Sequence, residues 1–391
     1  MSVRAAENKS AASPFRSRGK ALLLTLPVSL LTFVLLLGGP TTPRSPLALI
    51  SVLATYVLIN VLFYLMVRTG RTDRYRAVLF VTMAVTFVIS FIANLIEVRG
   101  SMALSTSDMA AGETPFCHMV IPMTIIPAAF TKTIIFPGHM LGGFAPVAAM
   151  FVLWIGVSLA IGRGFCSWGC FFGGLEDGFS RILRRPMIRK IAPYWTYLPY
   201  AVLAAVVILS AATLSPAYCE WLCPFKTVTE YNEVTSTRTA IQAVIFVSLF
   251  AGLVVVLPTL TKKRTQCGLF CPMGAFQSVT NKIDAFTIRI DRARCTDCQR
   301  CVQACPTFSL DKESIAAGKP KITCCKCGKC IDACTKGAIG YRIKGTASPP
   351  ERARLLFLYP AFIFLATIGG GMIVDGLHRI LLLVTTGRMI Q

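Results

Sequence analysis

Eight cysteines fall in two runs of the same spacing. The first is Cys295-x-x-Cys298-x-x-Cys301-x-x-x-Cys305-Pro306, and the second is Cys324-x-x-Cys327-x-x-Cys330-x-x-x-Cys334. Three thiols two residues apart form a tight loop that wraps one face of a cubane, and the fourth is carried away on a helix. This is the bacterial two-cluster [4Fe–4S] pattern, in which the fourth cysteine of each run ligates the other cluster. The spacing therefore predicts one cluster on Cys295, Cys298, Cys301 and Cys334. A second is expected on Cys324, Cys327, Cys330 and Cys305. Zinc sites use two separated pairs of ligands rather than two runs of four. Thr335 stands where the first run has Pro306, a position that shapes the exit turn without ligating. Cys325 is left over beside Cys324, and a shift of ligand choice by one residue is the alternative there.

Three further pairs have the form C-x-x-x-C: Cys166/Cys170, Cys219/Cys223 and Cys267/Cys271. Residues four apart share one face of a helix. Each pair follows an apolar stretch and is expected at its end. Cys166, Cys170, Cys267 and Cys271 are expected on one side of the membrane. There they would hold a further metal or cluster, act as a dithiol relay, or pack as small apolar side chains. Cys219 and Cys223, with Cys117 and His118, are expected as a second group on the opposite side, together with His139 and Met102, Met109, Met119, Met123 and Met140. Sulfur and imidazole there suit copper or a cluster edge. A Cys219–Cys223 disulfide and plain packing of the methionines are the alternatives.

The run Gly162-Arg163-Gly164-Phe165-Cys166-Ser167-Trp168-Gly169-Cys170, the Cys267–Gln277 run with its Cys-Pro-Met-Gly-Ala-Phe core, and the two ferredoxin runs after it carry a resemblance. Over roughly 142–341 the chain resembles the NapH/NosR-type membrane ferredoxins, a family with CcoG-like relatives. The resemblance implies a helical bundle with two cytoplasmic C-x-x-x-C motifs followed by a two-cluster ferredoxin. It also implies a role in quinol oxidation, in supplying electrons to periplasmic reductases, or in metalloenzyme maturation. Phe171 replaces the proline usual after the first motif, the Cys219/Cys223 motif is additional, and no flavin-attachment sequence of the NosR kind is found.

The elements that must position these thiols are apolar. Hydrophobic residues make up 54% of the 391 and charged residues 15%, so lipid is the expected solvent. Seven stretches are long enough to cross a bilayer: 21–37, 47–67, 77–96, 142–161, 194–214, 240–257 and 355–374. Lipid leaves no partner for an unpaired backbone group, so each should be helical. The fold class expected is an all-α polytopic membrane protein of about seven transmembrane helices with an inserted small α+β ferredoxin-like domain. The expected divisions are a basic tail 1–20, a membrane domain 21–260, the ferredoxin domain 261–353, and a last helix with its tail 354–391.

The net charge of +22 would suggest nucleic acid in a soluble chain. Here the cations alternate between loops. Arg4, Lys9, Arg16, Arg18 and Lys20 precede the first stretch. Arg68, Arg71, Arg74 and Arg76 follow the second, Arg163, Arg181, Arg184, Arg185, Arg189 and Lys190 the fourth, and Lys262, Lys263 and Arg264 the sixth. The first, third and fifth loops hold only Arg44, then Arg99 and Lys132, then Lys226 and Arg238 against Glu220, Glu230 and Glu233. The positive-inside rule then puts the N-terminus and the ferredoxin domain in the cytoplasm of a bacterial inner membrane, and no nucleic-acid partner is expected. The first stretch reads as a retained span rather than a secretory signal. Residues 120–136, broken by Pro122 and Pro127, read as an interfacial or re-entrant piece, and 375–391 as an amphipathic helix on the outer surface. Trp168, Trp195, Trp221 and the tyrosines of 194–200 read as an interfacial aromatic belt, and Asn60 and Asn94 as helix-packing residues.

No acid/base pair, nucleophile triad or phosphate loop is visible. The function expected is membrane-bound iron–sulfur electron transfer, between a quinone or a cytoplasmic donor and a periplasmic or membrane redox partner. The alternatives are a maturation factor that reduces or delivers a metal such as copper, and a redox sensor or anchoring scaffold.

Overall fold

The computed structural model describes residues 17–37, 45–98, 117–132, 147–229, 234 and 236–389, with the side chains of 91–98, 147, 149, 150 and 229 excepted. Arg4, Lys9, Arg16, Arg44, Arg99, Met102, Met109, His139, Met140, Glu230 and Glu233 lie outside the described residues, as does the side chain of Asn94.

Apolar length builds the membrane part. Six described helical stretches are long and apolar enough to cross a bilayer: Arg18–Leu37, Pro46–Thr69, Phe151–Trp168, Pro193–Thr213, Thr237–Thr261 and Pro350–Thr386. The third expected span lies inside a 27-residue helix, Thr72–Val98. We label Arg18–Leu37 α1, Pro46–Thr69 α2, Thr72–Val98 α3 and Ile121–Thr131 α4. Ser45 caps α2 by accepting from the Ala48 N–H, Pro46 opens the helix, and Gly70 at φ 77° ends it. Polar side chains inside the bundle find partners across it: Asn60 donates to the Thr32 hydroxyl at 3.0 Å, joining α2 to α1. At 11 residues, α4 is too short to span.

The last helix, Pro350–Thr386 (α5), packs along α1, α2 and α3. Phe63 and Phe362 meet edge to face with ring centroids 5.0 Å apart. The separate amphipathic helix expected over 375–391 is not seen, because α5 continues unbroken to Thr386. No proline interrupts it after Pro360, and Arg379 pairs with Asp375 one turn away at 3.1 Å. Trp168 is also unlike a belt residue: it is fully buried and donates to the Lys326 carbonyl at 3.3 Å. Tyr194, Trp195 and Tyr197 are exposed.

The ferredoxin domain is small. Strands Phe286–Ile290 (β1) and Ile339–Ile343 (β2) pair antiparallel, with Phe286 opposite Ile343 and Ile290 opposite Ile339. Phe286, Ile288 and Ile290 alternate inward, as one buried sheet face requires. Tyr341 is fully buried and stacks on Phe357 of α5 at 4.6 Å, so the sheet rests on the bundle. Helices Arg300–Ala304 and Lys329–Ala333 lie side by side; each follows the second cysteine of its run and carries the third.

Buried polar contacts lock the two parts together. Lys263 donates to the carbonyls of Val302, Gln303 and Cys305 at 2.9, 2.8 and 2.8 Å, closing the end of the Arg300–Ala304 helix. Lys326 is buried between Asp284, Asn281 and the Ile161 carbonyl. Burial pulls its pKa down, and the adjacent Asp284 opposes that pull. Arg354 of α5 reaches the Gly70 carbonyl at 2.5 Å.

Candidate iron–sulfur centre

Each ferredoxin run curls because single residues adopt the left-handed region: Asp297 and Gln299 in the first, Lys326 and Gly328 in the second. The fold brings Cys295, Cys298, Cys301 and Cys334 around one cavity, closed by Ile315, Ala338 and Ile339. It brings Cys305, Cys324, Cys327 and Cys330 around another, closed by Ile288, Pro306 and Leu310. Cys325 lines the second cavity as well. Among the described residues, no three His, Cys, Asp or Glu side chains close around the position of a single ion. The donor set fits a larger group: four thiols line the first cavity and five the second, with backbone N–H groups aimed at sulfur. Ser309 N–H donates to Cys305 Sγ at 3.2 Å and Ala338 N–H to Cys334 Sγ at 3.3 Å. The backbone N–H of Arg300 pulls the exposed Cys298 thiol below its usual pKa.

The two cavities differ in surroundings. Cys298 is exposed and Cys295 and Cys334 are half-buried, so the first opens toward solvent. Cys327 and Cys330 are buried, and Cys327 lies within electrostatic reach of Arg76 and Asp73 at the start of α3. There, Thr323 offers its carbonyl to Arg163 at 2.8 Å and Pro306 offers its carbonyl to the Arg264 N–H at 2.8 Å.

The C-x-x-x-C pairs do not sit on continuous helices. Cys166 lies in a single helical turn, Phe165–Trp168, and Cys170 is extended and starts the next helix, Phe171–Phe179. Cys267 lies in the turn Thr265–Leu269, and Cys271 starts Pro272–Val279. The expectation of one helix face per pair is thus corrected. Gly162 at φ 55° breaks the first stretch, and a π-helical segment at Phe250–Val256 precedes the other. That segment leaves the Leu253 carbonyl to accept from Thr265 at 2.6 Å, which fixes the approach to Cys267.

All four thiols are buried in one core, within electrostatic reach of one another. The second group is not separated from them across a membrane, contrary to expectation. His118 Nε2 lies 3.3 Å from Cys170 Sγ. Tyr218, beside Cys219, is fully buried and receives Gln266 Nε2 on its hydroxyl at 2.9 Å. Cys223 is buried within electrostatic reach of Cys117. The physical reason is that the chain after Cys170 folds back into the bundle: Phe171 stacks on Phe87, deep in α3, at 3.8 Å, while Asp177 returns to Arg76 near its start at 3.1 Å. Met119 and Met123 are buried in this same core.

Sequence reasoning passed over the charged residues that hold this core. Arg163, Arg264 and Glu176 are buried at 1, 0 and 0% exposure. Glu176 accepts the backbone N–H groups of Gln266 and Cys267 at 2.5 and 3.0 Å. Arg264 donates to Cys267 Sγ at 3.1 Å. The available signal was an arginine three residues before the first cysteine of each of these two C-x-x-x-C pairs.

A 4Fe–4S binding domain family matches three stretches, 144–190, 195–234 and 244–289, and each contains one C-x-x-x-C pair. A second 4Fe–4S binding domain family matches 288–310, which holds the first ferredoxin run. YccM of Escherichia coli (strain K12), a protein named for electron transport, is 26% identical over 44% of this chain and 48% of its own length. NirI of Paracoccus denitrificans is 30% identical over 41% of this chain and 24% of its own. The ferredoxin-type protein NapH of Haemophilus influenzae is 27% identical over 36% of this chain and 47% of its own. The chain thus spans about half the length of YccM and NapH and about a quarter of NirI. No solved structure matches the chain.

Proposed function

We propose that the chain is a ferredoxin-type membrane protein of the NapH/NosR-like kind and serves as an electron conduit between the cytoplasmic side and the membrane interior. In this reading Cys295, Cys298, Cys301 and Cys334 hold one [4Fe–4S] cluster, and Cys324, Cys327, Cys330 and Cys305 hold another. Cys166, Cys170, Cys267 and Cys271 hold a further centre. A bound cluster supplies one-electron chemistry at low potential. The chain's own residues set where the electron rests and at what potential. Amide N–H groups at Cys305, Cys334 and Cys271 donate to sulfur, which favours the reduced state with its extra negative charge.

The observation that carries the proposal is the order of the thiols. An exposed set is followed by a buried set, and the buried set abuts the intramembrane pairs through Arg264 and Cys325. A soluble donor meets the first set, and a quinone or a redox partner in or beyond the membrane meets the far end near His118 and Cys223.

The test is re-oxidation kinetics. Dithionite-reduced protein in nanodiscs is mixed with a short-chain quinone while cluster bleaching is followed. Rapid recovery that slows in Cys267→Ser is the expected result. Recovery at the same rate in that variant would remove the intramembrane pairs from the path. No recovery at all would remove the quinone.

A further inference from the structure

The two motif stretches share more than their cysteines. Arg163 precedes Cys166 by three residues, and Gly173 follows Cys170 by three. Arg264 precedes Cys267 by three, and Gly274 follows Cys271 by three. The common pattern is R-x-x-C-x-x-x-C-x-x-G. The stretch around Cys219 and Cys223 has Pro216 and Lys226 at those positions, so it lacks both features.

The backbones repeat each other. Phe165 accepts the N–H groups of Gly169 and Cys170, and Gln266 accepts those of Phe270 and Cys271. Gly169 and Phe270 have nearly the same dihedrals, φ −138° ψ −21° and φ −136° ψ −33°. The arginines are exchanged between the halves. Arg163 donates to the Cys267 carbonyl at 2.9 Å, and Arg264 donates to the Cys166 carbonyl at 2.5 Å. The glycines make room for this exchange. A Cβ on Gly173 would meet the Arg264 guanidinium at 2.3 Å, and one on Gly274 would meet that of Arg163 at 3.2 Å.

Neither arginine pairs with a carboxylate among the described residues, and the Nε of each is buried without a partner. Glu176 lies within electrostatic reach of Arg264, but its oxygens are engaged with the backbone N–H groups of Gln266 and Cys267. A buried charge without a directly paired counter-charge is costly. Two buried cations brace four buried thiols, and a metal–tetrathiolate centre with a net charge near −2 would neutralise them.

We propose that Arg163 and Arg264 are a reciprocal pair of positioning residues that clamp the two half-sites into one pseudo-twofold anionic iron–sulfur centre on Cys166, Cys170, Cys267 and Cys271, from which the Cys219/Cys223 pair is excluded. The inference rests on the reading that these thiols hold a centre of their own. Each arginine fixes the other half's first cysteine through its carbonyl, and its charge favours the reduced state.

The test uses the full chain in detergent, with iron and sulfide assays and a potentiometric titration followed by electron paramagnetic resonance. Wild type should carry iron in excess of the about eight atoms of two ferredoxin clusters and show a third signal. Arg163→Gln and Arg264→Gln should each shift that signal to lower potential or remove the excess iron, leaving the ferredoxin signals in place. Arg264→Lys, which keeps the charge, should hold the potential nearer wild type than Arg264→Gln does. Cys219→Ser should leave excess iron and potential unchanged. A wild type without excess iron overturns both the intramembrane centre and the clamp. Excess iron with the third potential unmoved in both Gln variants overturns the clamp alone, as does loss of the excess iron in Cys219→Ser.

Discussion

Asp332, in the ferredoxin domain, accepts the backbone N–H of Thr72 at 3.2 Å with one carboxylate oxygen and that of Asp73 at 2.9 Å with the other. It therefore caps the start of α3 from another part of the chain, two residues before Cys334. The first turn of a helix leaves N–H groups without intrahelical partners, and a side-chain oxygen at that point suits them.

Burial and the adjacent Asp73 push the Asp332 carboxyl up to about 6. Its ionised form is thus disfavoured in the folded protein, and stability from this group rises as pH falls through 6 toward the unfolded value of 3.8. Asp332→Asn, which keeps one of the two acceptor oxygens and removes the charge, should flatten that pH slope. Asp332→Ala should lose about 1 kcal/mol. Thermal unfolding of both variants at pH 5 and 7.5 checks this.

Arg76 is fully buried between Asp73 at 2.7 Å and Asp177 at 3.1 Å, and it ties the start of α3 to the helix that follows Cys170. Arg76→Met leaves Asp73 and Asp177 with Arg181 as their remaining cation, at 2.8 and 3.0 Å. Breaking a buried pair outright costs about 3–5 kcal/mol, and the retained Arg181 holds the loss below that. A lower midpoint in detergent unfolding is expected, and an unchanged midpoint would show that solvent reaches the pair.

Cys298 is exposed and Cys327 buried, so the two ferredoxin sites should differ in chemical access. Cys298→Ala and Cys327→Ala should each remove one cluster's paramagnetic signal. In wild type, brief ferricyanide treatment should remove first the signal that Cys298→Ala lacks. Loss of both at equal rates would contradict the placement of the second site against the membrane domain.

The parts legible in the sequence are those fixed by local spacing or by solvent. Ligand loops such as Cys295–Cys301 are set by short-range chain geometry, and apolar stretches such as 47–67 answer to lipid. What was not legible depends on residues far apart in the chain. That Cys170 meets His118 follows from helix Phe171–Phe179 folding back along α3, which needs Gly174 against the Phe80 carbonyl and Asp177 against Arg76. Trp168 lies near a span end like a belt residue, yet the ferredoxin domain covers it. The continuation of α5 past Asp375 is likewise tertiary, since Gly376 packs against Thr86 of α3.

Iron and acid-labile sulfide on purified, folded full-length protein test the central claim most directly. At least about eight irons per chain, with matching sulfide, is the expected result. A protein that folds normally and carries neither would contradict the account.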